Sequence, residues 1–282
     1  MSQTNVQGLP ISLEPAWPAR PSNAAIAWND IWQGFQRNWF WSALAMQDVR
    51  LRYRGSVIGP FWITLSLGIM VGAMGLIYAK LFNQDIESYL PFLTSGIIVW
   101  TFIAGLVNDG CQTFISMQGV IQAVPLPFSI HAYREVTRNF IILAHNLVIL
   151  PPVMIFFHVG FSWRLLEVIP ALALLAINGV WVAMLFGIAS ARFRDVPPIV
   201  QTFVSIAFFV TPVFWPAAAL GRWQSLAELS PLFAAVDIVR SPLLGQATAA
   251  YSWSIVLGIT VLGCSVSFLL FSRFYTRIAY WV

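Results

Sequence analysis

Apolar residues in this chain come in long unbroken stretches, and polar residues gather between them. From Val57 to Ala79 no side chain ionises. A helix over that stretch is roughly 35 Å long at 1.5 Å per residue, enough to cross a hydrocarbon core of about 30 Å. Five further apolar stretches follow, at about 90–108, 139–159, 168–191, 196–221 and 253–272. The pattern predicts six transmembrane helices and an all-α fold. The third stretch carries His145, Asn146 and the pair Pro151-Pro152, and the fifth is interrupted by Pro212 and Pro216.

Ahead of the spans the pattern differs. Residues 1–23 are polar and hold Pro10, Pro15, Pro18 and Pro21, which reads as a tail with little fixed structure and no signal-peptide pattern. Between 24 and 45, Trp28, Ile31, Trp32, Phe35 and Trp39 recur at helical spacing, and Asn29, Asp30, Gln33 and Gln36 take the other side. This predicts an amphipathic helix lying in the headgroup layer. Residues 46–282 then form the six-span domain. Two connections are long. Segment 116–138 holds Pro125 and Pro127, which break any helix there. Segment 222–250 is apolar for a loop yet carries Arg222, Glu228, Asp237 and Arg240, which predicts short helices dipping back toward the membrane. No internal repeat of the inverted-repeat transporter kind is visible.

Composition agrees with a membrane protein: 59% of residues are hydrophobic and 9% charged, against about 25% charged in soluble domains. The pI near 9.4 does not call for nucleic acid, because arginines at cytoplasmic membrane edges have the same effect. The orienting stretch is Asp48-Val-Arg-Leu-Arg-Tyr-Arg-Gly-Ser-Val-Ile-Gly-Pro-Phe-Trp62, where Arg50, Arg52 and Arg54 precede the first span. With the N-terminus inside, Arg20, Arg37, Arg50, Arg52, Arg54, Arg134, Arg138, Arg192, Arg194, Arg273 and Arg277 fall inside. Lys80, Arg164, Arg222 and Arg240 fall outside. The imbalance predicts cytoplasmic termini at both ends. Cys111 and Cys264 lie in apolar runs and read as small core residues rather than a disulfide.

The chemistry on offer is sparse. There is no G-x-x-x-x-G-K-[ST] loop to cradle ATP, and Lys80 is the only lysine. His131, His145 and His158 are scattered without a helix-spaced ligand pair, so no metal site is expected. Asp109 and His145 are the ionisable groups nearest membrane depth. They read either as a proton relay or as a water-exposed helix end and a hydrogen bond to a neighbouring helix. Aromatic residues make up 15% of the chain. Tyr78, Phe82, Phe208, Phe209, Phe214 and Trp215 gather toward the outer ends of the first and fifth spans. They are either belt and core residues or a path whose ring faces pack on the C–H faces of sugars. A secondary transporter would need charge at mid-membrane, and a membrane-embedded glycan or lipid transferase would need a reactive cluster at one interface; neither pattern is apparent.

Three blocks carry a family resemblance. The first is the Asp48–Trp62 stretch after its amphipathic helix. The second is Arg192-Phe-Arg-Asp-Val196 with Thr211-Pro-Val213 at the far end of the following span. The third is Ser230-Pro-Leu232 leading to Asp237-Ile-Val-Arg240. In this order, over about residues 25–275, the chain resembles the permease subunit of type-2 ABC exporters that move lipid-linked polysaccharide: O-antigen, capsule or teichoic acid. It departs from the family in the second cytoplasmic connection. Many relatives carry basic residues and a Phe-Pro pair there, where this chain reads Gln122-Ala-Val-Pro-Leu-Pro-Phe128. The resemblance implies a transport subunit rather than an enzyme, a homodimer in the bacterial inner membrane, and two copies of a separate ATPase that binds ATP and Mg. It implies an O-antigen substrate first and capsule next, and gate helices within 222–250. ATP-driven motion must enter through residues outside the membrane. The expected coupling residues are Pro125, Leu126, Pro127, Phe128, Ile130, Arg134 and Glu135, with Arg192, Arg194 and Asp195 nearby.

Overall fold

The computed structural model of the chain describes residues 22–52, 54–56, 58–59, 61–160 and 162–282. The expected tail therefore lies, up to residue 21, outside the described residues, as do Val57 and Pro60 at the start of the expected first span. The described chain is all helix, with no strand. It begins with α1 (Asn23–Gln36) and α2 (Asn38–Arg52), followed by α3 (Phe61–Leu81) and α4 (Ile86–Gln112). Next come a short α5 (Gln118–Ala123), then α6 (Ser129–Leu147), α7 (Leu150–Phe156) and α8 (Val168–Arg192). After these follow α9 (Val196–Val210), α10 (Gln224–Glu228), α11 (Pro231–Leu243), α12 (Ala250–Phe274) and α13 (Ile278–Trp281).

Five helical stretches are long and apolar enough to cross a membrane: Phe61–Leu81, Ile86–Gln112, Ser129–Phe156, Trp163–Arg192 and Ala250–Trp281. The expected fifth span, 196–221, is not one continuous helix. Helix α9 has 15 residues, about 22 Å, which falls short of a hydrocarbon core of about 30 Å. It stops because Pro212 disfavours helical backbone at the residue before it, and Thr211 is extended at φ −83°, ψ 136°. The expected helix over 24–45 is likewise two helices, with a break at Arg37 (φ −86°, ψ 43°).

The third span begins ten residues earlier than the apolar pattern placed it, at Ser129 rather than Asn139. The signal that starts it comes from another helix. Helix α6 has no side-chain cap of its own. Asp30 of α1 supplies one, accepting from the backbone N–H of Phe128 at 2.8 Å and of Ser129 at 3.0 Å. Tyr275 Oη donates to the same carboxylate at 3.0 Å. Burial pushes the Asp30 carboxyl above its ordinary range, while these hydrogen bonds pull the other way. The charged turn that should have ended an apolar span survives inside the fold because its charges are paired there.

Helix α4 is the centre of the bundle. It packs on α3, α6, α8, α9 and α11, and 67% of its apolar window is buried, against 17% for α3. Ile97, Ile98 and Val99 sit at its middle, almost wholly enclosed. Helices α8 and α12 also meet closely. The Trp181 indole lies directly over Gly263, so that a β-carbon there would collide with the ring. Trp181 Nε1 donates to Asn178 Oδ1 at 2.9 Å, and Asn178 Nδ2 donates to Thr260 Oγ1 at 2.7 Å. Helices in a membrane associate through van der Waals packing, which small residues tighten by allowing close approach, and one interhelical hydrogen bond adds on average about 0.6 kcal/mol. Gly263→Val should therefore destabilise the chain by about 1–3 kcal/mol, more than Asn178→Ala does. Thermal unfolding in detergent measures both, and the opposite order would show that the polar pair, not the packing, joins α8 to α12.

Candidate functional site

Helix α4 is about 40 Å long, so its two ends mark the two faces of the bundle. At its N-terminal end the chain is unwound after α9, and the backbone of 211–216 is tied down by side chains from elsewhere. Arg240 Nη1 donates to Pro212 O at 2.9 Å and Tyr89 Oη to Phe214 O at 2.5 Å, while the segment's own Trp215 Nε1 donates back to Phe209 O of α9 at 3.1 Å. Gly96 of α4 makes room for the Val213 carbonyl, which a β-carbon would meet at 2.5 Å. Arg240 is 5% exposed, and its guanidinium lies over Phe92 at 4.4 Å and Phe233 at 5.6 Å. Asp237, one turn earlier, accepts from Ser241 Oγ at 2.6 Å and Ser252 Oγ at 2.7 Å. An arginine and an aspartate in an apolar segment are affordable only with such partners.

The six aromatic residues singled out in the sequence come together at this end. Tyr78 stacks on Phe82 at 5.7 Å and meets Phe214 at 5.3 Å. Phe208 stacks on Phe214 at 5.1 Å and meets Phe209 at 5.3 Å. Trp215 joins through its bond to Phe209. They differ in access: Phe209 is 64% exposed, whereas Phe214 is 8% exposed and forms the middle of the stack. Phe214 therefore supports the cluster from within and presents no face to a passing ligand. Tyr89 and Trp100 extend the cluster, through Phe82 at 6.4 Å and Phe208 at 5.8 Å.

At the opposite end three helices are joined by charge. Arg134 Nε meets Asp48 Oδ2 at 2.6 Å, Arg138 Nη2 meets Asp109 Oδ2 at 2.8 Å, and Arg138 also pairs with Glu135. Asn139 Nδ2 donates to Asp109 Oδ2 at 3.0 Å and to Glu135 O at 3.0 Å. Asp48 belongs to α2, Asp109 to α4 and the remainder to α6. The side chains of Arg134 and Glu135 are 4% and 2% exposed, so the charge pairs expected across a partner interface are made within this chain. Ile130 is fully buried, and Phe128 packs on Phe114 at 6.0 Å and Tyr275 at 5.3 Å. The apolar face expected to point outward at Phe128 and Ile130 is instead part of the core. The exposed residues here include Val120, Val124 and Pro125, with Leu126 half-buried. The exposure of Val120 and Val124 was missed in the sequence, although both flank the short segment before Pro125. Arg192, Arg194 and Asp195 are exposed at the α8–α9 turn. Arg50, Arg52 and Arg54 are exposed at the end of α2 and just beyond it. His145 Nδ1 lies 2.7 Å from Ile141 O of its own helix, where a neighbouring helix was the alternative.

Residues 40–244 match the family described as ABC-2 type transporter. The chain belongs to that family. Among characterised relatives, it is similar to the O-antigen export system permease protein RfbA of Klebsiella pneumoniae. That similarity is 23% identity over 230 residues, 78% of this chain and 87% of the relative. A Myxococcus xanthus protein of the same name is 22% identical over 182 residues, 63% of this chain and 68% of the relative. The matched stretch begins in α2 and ends after α11, so it contains both ends of this ABC-2 subunit just described.

Removing one member of a buried, mutually paired set leaves its partners charged and unmatched, which costs about 3–5 kcal/mol. Arg138→Met should do this to Glu135 and Asp109 together. A large fall in the thermal midpoint of the purified chain is expected, and a fall no greater than that of an exposed substitution such as Arg54→Met would show that the cluster does not hold α2, α4 and α6 together.

Proposed function

We propose that this ABC-2 chain is the membrane-spanning permease of an exporter that moves a lipid-linked polysaccharide across the bacterial inner membrane. O-antigen is the favoured substrate over capsule polymer. The observation that carries this is the aromatic stack at one end of a chain that is similar to O-antigen export permeases. In this reading α9 and the unwound 211–216 segment together make a sixth crossing, with residues 217–243 as gate helices at the outer face. Both termini are cytoplasmic, and α1 with the start of α2 lies in the headgroup layer, with Trp28 and Trp32 of α1 and Trp39 of α2 toward lipid; their exposures of 62%, 53% and 70% favour it. Two copies of the chain enclose the path. The apolar faces of α3 and α9, with Ile69, Ile77, Phe203 and Ile206 exposed, are available for that contact.

Energy comes from two copies of a separate ATPase, which bind ATP and Mg. They dock on the cytoplasmic segments: the exposed edge 118–126, the α8–α9 turn with Arg192, Arg194 and Asp195, and the nearby end of α2. The ionic cluster passes their motion to α4 and so to the aromatic end. Helix α6 is a stiff element for this, since Asp30 caps its start and Asp48 and Asp109 hold its first turns.

Two experiments test the reading. Phe209→Ala and Tyr78→Ala should reduce polymer export severalfold while leaving assembly intact, because they remove the exposed ring of Phe209 and the half-buried ring of Tyr78; Phe214→Ala should instead destabilise the chain by about 3 kcal/mol or more. Normal surface glycan in cells carrying both Phe209→Ala and Tyr78→Ala would remove these rings from the path. Val120→Asp with Val124→Asp should abolish co-purification with the ATPase while the chain still inserts, since charge at the centre of an apolar contact disrupts binding. An ATPase that stays bound and active would move the docking surface elsewhere.

A further inference from the structure

The end of the bundle that carries α13 holds a pocket of about 610 Å³ between the C-terminal ends of α8 and α12. Its walls are apolar, made by Ile188, Leu270 and Phe274, and its rim carries Arg192, Arg277 and Trp281. The Arg192 guanidinium lies 5.5 Å from the Trp281 ring centroid and 5.8 Å from that of Phe193. Stacking of that kind fixes the guanidinium plane and leaves its N–H edge free for an oxyanion. Both arginines are exposed. Among the described residues neither is in an ion pair, the nearby Asp195 included. Arg273 adds a third positive charge one turn before Arg277, with its guanidinium 5.8 Å from the Phe274 ring centroid.

We infer that this pocket binds an anionic phospholipid, with the phosphodiester held by Arg192 and Arg277 and an acyl chain against Ile188 and Leu270. Charge complementarity selects the occupant. Two unpaired guanidinium groups at the mouth of an apolar slot between spanning helices match a phosphate attached to a hydrocarbon chain. A free phosphate would have no use for the apolar walls, and in a zwitterionic lipid the headgroup's own cation offsets the phosphate and is repelled by the arginines. A second groove, of about 570 Å³, between α1, α6, α8 and α12 has no charged residue in its lining, so it offers no such selection. The leaflet is the cytoplasmic one on the orientation proposed above, but lipid binding itself does not depend on that orientation or on export.

The test uses the full-length chain, in the assembly it forms in the cell, delipidated in a neutral detergent. Native mass spectrometry counts retained lipid during titration with phosphatidylglycerol or phosphatidylcholine. One phosphatidylglycerol per chain is expected at concentrations where phosphatidylcholine is not retained. R277Q leaves the Arg192–Trp281 stack in place and should lower that occupancy about fivefold, the effect of one arginine beside an anionic headgroup. R192Q/R277Q should abolish the preference, and R192K/R277K should keep part of it. Equal retention of the two lipids, or undiminished phosphatidylglycerol on R277Q, overturns the inference. So does complete displacement by millimolar inorganic phosphate, which would mark a free-anion site.

Discussion

The arrangement of this chain depends on the pairing of charge where three helices meet. Arg134, Glu135 and Arg138 are placed in the first three turns of α6, below the surface, and each is costly to bury alone. Asp48 and Asp109 make the burial possible, and in doing so they fix where α2 and α4 stand relative to α6. A hydrophobic contact of similar area would permit sliding between helices. A set of short, directional bonds to fixed carboxylates does not. The neighbouring cap from Asp30 adds a second tie, so that α1, α2 and α6 form one stiff unit at this end of the bundle.

The opposite end solves a different problem. A broken helix in apolar surroundings leaves carbonyl groups without partners, and each one buried is costly. The break after α9 is accommodated by borrowed donors, Arg240 to Pro212 and Tyr89 to Phe214, and by the absence of a side chain at Gly96. These donors come from α4 and α11, so the unwound segment moves only if those helices do. The aromatic stack grows from the same anchor, since Phe214 is both the bonded residue and the middle of the stack. Helix α4 thus touches the ionic cluster through Asp109 and the aromatic cluster through Tyr89 and Trp100, so that one helix joins the two ends.

Reading the elements against the apolar pattern, agreement is close where solvent alone decides. The helices expected at 168–191 and 253–272 are found at Val168–Arg192 and Ala250–Phe274. It fails where a partner from another part of the chain decides. The start of α6 was placed ten residues late because its cap, Asp30, lies 99 positions away from Ser129. The expected helix at 196–221 is longer than α9 because Pro212 ends the helix rather than merely interrupting it. Phe128 and Ile130 were read as an outward apolar face, since a sequence cannot distinguish an apolar residue facing a partner from one facing its own core.

What the sequence by itself determined is the medium and the class: long apolar runs, scarce charge, arginines crowded at span edges, and three motif blocks in order. The first two are local properties, set by the transfer free energy of side chains between water and hydrocarbon; the third follows the positive-inside rule, and the motif blocks carry the family resemblance. Only the tertiary structure decided which polar groups are paired. Arg134 and Arg138 turn inward onto carboxylates, Arg240 turns inward onto a backbone carbonyl, and Arg192 turns outward over Trp281. All four are arginines near a membrane edge, and nothing local separates them. Pairing depends on groups far apart in the chain meeting within about 3 Å, a distance that only packing sets.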